Sequence, residues 1–373
     1  MADMKKFLDE LYKDPKNESA FVEDIQRIET PSPSLNWALS GGIVPGRFYV
    51  LTGPEGSGKS MFTVSLVHSI QKHDPEAISV WFDTERSFTS HWINVFFKSP
   101  DMELAEHVMV RRTQKPADIF DYFADKMMDM IDRGCRFNAC VIDSVQQMIG
   151  PKEENKTSTD KAVMGDLAAY LPGALRKISE PSRQHQIPWF FIAQVRDNFD
   201  NAGNKYVLKE DKYTLTGGMA FKHAIDVIIL LEGAKGKKNA IFDPTIKNMD
   251  DKEMKIGHLI RAMITKNRLG PTYRKAEFFF EYENGIVGAN TEIAKLALNQ
   301  NLVSLDGRKY MLNERSLGTG KDQFIESLDD PKIKEELMTE IHKLYRPEGG
   351  LENAEEKESS VEEKEIVTEG EGE

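Results

Sequence analysis

Residues 53–60 read Gly53-Pro54-Glu55-Gly56-Ser57-Gly58-Lys59-Ser60, the spacing G-x-x-x-x-G-K-S. Glycines at those positions let successive backbone N–H groups curl around an anion, and a helix starting there adds the partial positive charge of its N-terminus. The pattern assigns Lys59 to the β- and γ-phosphates of a nucleoside triphosphate and the Ser60 hydroxyl to Mg²⁺. A nucleoside triphosphate and Mg²⁺ are therefore the expected ligands. The plain alternative is a glycine-rich turn with a chance lysine, and the flanks speak against it. Phe48-Tyr49-Val50-Leu51 reads as a buried strand, and Met61-Phe62-Thr63-Val64-Ser65-Leu66-Val67 as a helix with no breaker.

Acidic residues stand where such a site needs them. Ala139-Cys140-Val141-Ile142-Asp143-Ser144 reads as a buried strand ending in an acid, 84 residues after Lys59. An acid at the carboxyl end of a strand beside a phosphate loop is placed to hold Mg²⁺ through its water shell. Another strand pattern runs into Trp81-Phe82-Asp83-Thr84-Glu85-Arg86. A carboxylate there can orient and deprotonate an attacking water, and on the residues alone Asp83 and Glu85 qualify equally.

These groups need a scaffold, and the apolar patterning supplies one. Strand candidates lie at 47–52, 78–83, 108–111, 138–143 and 188–194, separated by helical stretches at 59–72, 88–98, 116–132 and 166–180. That alternation predicts an α/β fold with a mostly parallel central sheet flanked by helices. Segments 226–232, 260–266 and 276–282 have short connections and predict antiparallel strands at one edge, with 234–258 as an extended hairpin. A helix at 291–299, a turn at Asp306-Gly307 and a helical run over 322–345 predict a small separate unit. Ahead of the core, Met4, Phe7, Leu8 and Leu11 form one apolar helix stripe that stops at Asp14-Pro15.

The chain has 373 residues, 40% hydrophobic and 29% charged, enough for one large domain or two moderate ones. No apolar run approaches the ~20 residues of a membrane helix, and no signal-peptide core opens the sequence, so a cytoplasmic protein with no membrane partner is expected. Cys135 and Cys140 have no paired histidines nearby and read as buried small side chains. The net charge of −12 at first argues against nucleic acid. Its distribution reverses that. Residues 351–373 carry ten Glu against two Lys, whereas residues 205–275 carry fifteen Lys and Arg against eight Asp and Glu. A disordered acidic tail beside a basic zone suggests a polyanion site and a mobile competitor for it.

The run Ser32-Pro33-Ser34-Leu35-Asn36-Trp37-Ala38-Leu39-Ser40-Gly41-Gly42-Ile43-Val44-Pro45-Gly46-Arg47, followed by the phosphate loop, resembles the RecA recombinases of bacteria and phages. So do Phe82-Asp83-Thr84-Glu85, Val141-Ile142-Asp143-Ser144-Val145, Phe191-Ile192-Ala193-Gln194-Val195-Arg196 and Thr216-Gly217-Gly218. Lys266-Asn267-Arg268, Ala276-Glu277-Phe278 and Leu317-Gly318-Thr319-Gly320-Lys321 continue the match, in order, over roughly residues 20–345. The resemblance implies a RecA-like P-loop NTPase core over 31–288, an N-terminal oligomerisation helix and linker over 1–30, a small α+β C-terminal domain over 289–346 and a disordered acidic tail over 347–373.

It also implies roles. Glu85, rather than Asp83, matches the water-activating glutamate. Trp92 falls where the family has a tyrosine stacked on adenine, and Thr89 where an acid or small polar residue meets the base. Gln194 matches the γ-phosphate sensor. Lys266 and Arg268 match the basic pair that reaches across the filament interface to the neighbour's ATP, a charge-neutralising role like that of an arginine finger. DNA contact is expected from two loops, about 152–165 and 195–218. Met164 and Phe199 would be the apolar wedges between bases, Arg196 and Lys205 would face phosphates, and Gly217 and Gly218 would end the second loop. That loop is longer and more charged than in bacterial RecA.

The implied function is a DNA-dependent ATPase that forms a helical homo-oligomer on single-stranded DNA and exchanges strands with a homologous duplex. Single-strand-binding and loader proteins would be further partners. A hexameric replicative helicase shares the core fold, but the Ser32–Arg47 segment and the Gly-rich C-terminal stretch favour the recombinase. A non-hydrolysing mediator is disfavoured by the presence of Glu85 and Gln194.

Overall fold

The strands run β1 (Phe48–Gly53), β2 (Ile78–Asp83), β3 (Val108–Arg112), β4 (Phe137–Asp143), β5 (Trp189–Asp197), β6 (Tyr213–Leu215), β7 (Val227–Gly233), β8 (Ala240–Lys247), β9 (Glu253–Asn267), β10 (Lys275–Glu281) and β11 (Gly285–Val287). The computed structural model describes residues 26–96, 102–154, 165–197, 213–215, 217–247 and 252–345. Across the sheet the order is β11-β10-β9-β7-β1-β5-β4-β2-β3, with β6 on β5 and β8 on β9. Pairing is parallel from β7 through to β3 and antiparallel from β7 out to β11. The α/β class, the parallel centre and the antiparallel edge are therefore as the patterning predicts.

The parallel strands read as unbroken apolar runs because both faces are covered. Every residue of β1 and β4 is buried. Tyr49, Leu51, Val141, Phe190 and Ile192 pack against Phe62, Leu66, Val67 and Ile70 of the helix Lys59–His73. Val50, Phe82, Ile142, Trp189 and Phe191 point the other way, onto Leu171, Leu175 and Ile178 of the helix Asp166–Gln184 and onto Phe120 and Phe123. At the centre of that second layer Trp189 stacks on Phe82 at 6.0 Å and donates its indole N–H to Ser182 Oγ at 2.9 Å. The helical run from Pro116 passes through a π turn at Tyr122–Met127, keeping the length expected but not the uniform geometry.

Two sequence expectations need correcting. The helical run over 322–345 is two helices, Lys321–Ser327 and Pro331–Tyr345. Pro331 cannot donate to a continuing ladder, so it opens the second helix instead, with Asp330 Oδ1 accepting from Lys332 N at 2.9 Å. Cys140 is buried as expected, but Cys135 is only half-buried, because it follows the turn at Gly134.

Residues 289–345 build a second cluster, with Ile293, Leu296, Val303, Leu312, Phe324, Leu337 and Ile341 inside it. Its sheet is β12 (Ser304–Asp306), β13 (Lys309–Leu312) and β14 (Arg315–Thr319), against the helix Ala289–Asn299. The junction with the core combines Trp37, which packs against both clusters, with a buried polar contact. Glu292, 4% exposed, accepts from Ser32 Oγ at 2.5 Å and from Ser34 N at 3.0 Å, at the start of the helix Pro33–Ala38. Burial lifts its pKa to about 7, against the pull of those bonds from Ser32 and Ser34. A carboxyl raised from its usual 4.5 favours folding at acidic pH, and that contribution is lost as pH rises toward 7. The thermal midpoint of the wild type should therefore fall more between pH 5 and pH 8 than that of Glu292→Gln. Parallel pH profiles would show that the Glu292 carboxyl has the same pKa in the folded junction as in the unfolded chain.

Candidate nucleotide site and its distant cations

The phosphate loop occupies the turn from β1 into the helix Lys59–His73. Crowding fixes its first glycine: a Cβ at Gly53 would stand 2.1 Å from Leu231 O and 2.9 Å from Ser57 Oγ. Gly58 precedes the helix at φ +82°, a left-handed value open mainly to glycine. Pro54, Glu55 and Gly56 are exposed, while Ser57 and Lys59 are buried. The Lys59 ammonium donates to Gly53 O at 3.0 Å and Pro54 O at 2.8 Å, which holds it over the loop. Burial draws its pKa down, and Asp143, Glu85 and Glu55 oppose that.

Strand register gathers the rest on the carboxyl edge of the sheet. Asp83 of β2 stands opposite Asp143 of β4, and Gln194 of β5 opposite Gly53. Asp143 is 1% exposed. Its carboxylate is bonded to the Ser60 side chain, and its Oδ2 has no hydrogen-bond partner. Burial, together with Glu85 and Asp83, raises its pKa to about 7 despite Ser60 and Lys59. A buried carboxylate with an open oxygen, a hydroxyl beside it and two further acids nearby fit a divalent cation. Among the described residues no cluster of three His, Cys, Asp or Glu forms a cage. Mg²⁺ needs none, since it is commonly held by one or two protein groups plus substrate phosphates.

Asp83 and Glu85 separate cleanly. Asp83 is fully buried and committed: it accepts from Ser87 N at 3.0 Å and Phe88 N at 3.2 Å, with Arg112 Nε 3.6 Å away. Glu85 is exposed on the rim, and Ser144 Oγ donates to its Oε1. Residue motifs did not single out Ser144; its position directly after Asp143 was the available signal. Thr89 and Trp92 follow on the same rim. Thr89 is exposed, and Trp92 is half-buried, edge-on to Phe88 at 5.4 Å.

Lys266 and Arg268 are not part of this cluster. Lys266 lies at the end of β9, where it pairs with Ile228 near the start of β7, and Arg268 follows just past the strand. Lys266 Nζ donates to Lys222 O at 2.6 Å, His223 O at 3.2 Å and Ile225 O at 2.6 Å. Arg268 donates to His223 O at 2.6 Å and lies 3.7 Å from Asp226 Oδ1. Asp226, beside Arg268, bonds Phe48 at the start of β1, whereas the phosphate loop leaves the other end of that strand at Gly53, so these cations lie at the opposite edge of the sheet from their own loop.

The base of the first expected DNA loop is pinned by Asp166, whose Oδ2 accepts from Lys152 N at 2.7 Å and Glu153 N at 3.3 Å. The second loop leaves along β5 and returns as β6, reaching Gly217 at φ +110° and Gly218 at φ +83°. A Cβ on Gly217 would meet Phe221 Cδ1 at 2.7 Å. Met164, Phe199, Lys205, the Arg196 side chain, the N-terminal stripe and the acidic tail lie outside the described residues. Beside the phosphate loop, the β8–β9 hairpin borders a cleft of about 1110 Å³ lined by Lys235, Lys237, Lys255, His258 and Arg261. Part of the basic zone thus converges there, a feature that charge counting did not localise.

A phosphate loop closing β1 of a parallel sheet, with a strand-end acid two strands away, defines a P-loop nucleotide-binding fold. Comparison narrows the class. A family model, the RecA N-terminal domain, matches residues 15–287. Protein RecA of Bacteroides thetaiotaomicron is 27% identical over 331 residues, covering 85% of this chain and 87% of that protein. Protein RecA of Chlamydia abortus is 28% identical over 323 residues, covering 85% and 83%. Protein RecA 2 of Myxococcus xanthus is 26% identical over 331 residues, covering 88% and 84%. The chain belongs to the RecA family. No helix among the described residues is long and apolar enough to cross a membrane.

Proposed function

We propose that this protein is a DNA-dependent ATPase that assembles as a filament on single-stranded DNA and exchanges strands with a homologous duplex. The observation that carries the reading is the division of the site. Lys59, Ser60, Glu85, Asp143 and Gln194 share one edge of the sheet, whereas Lys266 and Arg268 lie at the opposite edge. Cations so placed serve a nucleotide held by another copy, in a head-to-tail interface that repeats into a helix.

In this reading the loop N–H groups and Lys59 bind the phosphates, Trp92 offers a face for the base, and Thr89 meets its edge. Mg²⁺ at Ser60 and Asp143 would neutralise charge on the β- and γ-phosphoryl oxygens. Ser144 steadies the Glu85 carboxylate, which takes the proton of the attacking water. Gln194 lies where β5 passes into the second loop and reports the terminal phosphate to it. The basic cleft by the hairpin adds charge for DNA phosphates.

The test is formation of joint molecules between single-stranded DNA and a homologous duplex. ATP-dependent joints that need homology are expected. Unwinding of a forked duplex without homology, and no joints, would favour the helicase instead.

A further inference from the structure

Lys266 has a task in the single protomer that competes with the one just assigned to it. A lysine ammonium has three N–H donors. Here they meet three carbonyls, those of Lys222, His223 and Ile225, at the end of the helix Gly218–Ala224. The last carbonyls of a helix have no partner within it, and a cation there also meets the negative end of the helix dipole. Arg268 adds a bond to His223 O, and Asp226 ties the same corner to β1 by accepting from Phe48 N at 3.0 Å. Partial burial, with Arg268 next to it, draws the Lys266 pKa down to about 8.

A phosphate oxygen can be reached only by giving up at least one of these bonds. The helix concerned is the one into which the second expected DNA loop runs, through Gly217 and Gly218. We propose that Lys266 alternates between two positions, capping the helix Gly218–Ala224 in the lone protomer and leaving that cap for the neighbour's terminal phosphate in the filament. Assembly on ATP thereby uncaps the helix at the end of the loop, so that a contact made at the subunit interface is felt beside the DNA. Lys266 is in this respect a positioning residue for the loop as well as a charge for the phosphate. The proposal rests on the trans role given to Lys266 above.

Amide hydrogen exchange on the full-length protein tests it. Without nucleotide, Lys266→Met should speed exchange in peptides covering 218–226 by roughly two- to fivefold, the worth of one cationic cap. Lys266→Arg should keep the protection, and β1 should be unchanged in both. On single-stranded DNA, wild-type filaments should exchange faster in this segment with a non-hydrolysable ATP analogue than with ADP, and Lys266→Met should show no such difference. Equal exchange for Lys266→Met and wild type without nucleotide would overturn the cap. Equal wild-type exchange with the two nucleotides would overturn the alternation. Normal DNA-stimulated hydrolysis by Lys266→Met would instead remove the trans role, a failure of the functional reading that leaves the cap measurement intact.

Discussion

Glu85→Gln is expected to bind ATP and to hydrolyse it about 10²–10⁴-fold more slowly, the usual cost of losing a positioned general base. The substitution keeps size and shape on an exposed rim, so the fold has no reason to change. Ser144 can still bond the side-chain oxygen, so the group stays in place and only its basicity is lost. Lys59→Ala should behave differently and lose nucleotide binding itself, because it removes the one buried cation of the loop. Asp83→Asn makes the contrast sharper. Asp83 holds the backbone at Ser87 and Phe88, so its loss should appear first as lower thermal stability. Single-stranded DNA-stimulated phosphate release, measured beside nucleotide affinity, separates the three. Near-normal turnover by Glu85→Gln would end the assignment.

Lys266→Ala should have an equally large effect on turnover by another route. Nucleotide affinity of the lone protomer should survive, since the length of the parallel strands separates Lys266 from its own loop. DNA-stimulated hydrolysis should fall by about 10³-fold or more, the scale seen when a trans cation is withdrawn from a transferring phosphoryl group. A variant that loses nucleotide affinity as a monomer would place Lys266 in its own site instead.

Much of this arrangement was legible in the residues, and the failures have physical causes. The phosphate loop was readable because a strand, glycines and a helix start must follow one another locally. The parallel strands were readable because burial on both faces leaves near-continuous apolar runs, as in Ala139–Ile142. Asp83 and Glu85 were separable only through the family resemblance and not from the residues alone, since what distinguishes them is contact with Ser87, Phe88 and Ser144, set by the turn after β2 and by β4. The distance between Lys266 and the phosphate loop was likewise implied only by the resemblance, because it depends on strand order and register rather than on spacing. The break at Pro331 was a signal in plain view. The apolar pattern on either side of it was simply continuous enough to mask it.

The division of the site between subunits is tested most directly by mixing two inactive proteins. Glu85→Gln retains Lys266 but lacks the proposed base; Lys266→Ala retains Glu85 but lacks the proposed trans cation. In a randomly mixed one-to-one filament on single-stranded DNA, about a quarter of the interfaces join an intact loop and Glu85 to an intact Lys266. ATP hydrolysis should therefore return to about that fraction of the wild-type rate, although neither protein alone turns over. A mixture no more active than its components would contradict a site completed by the neighbour.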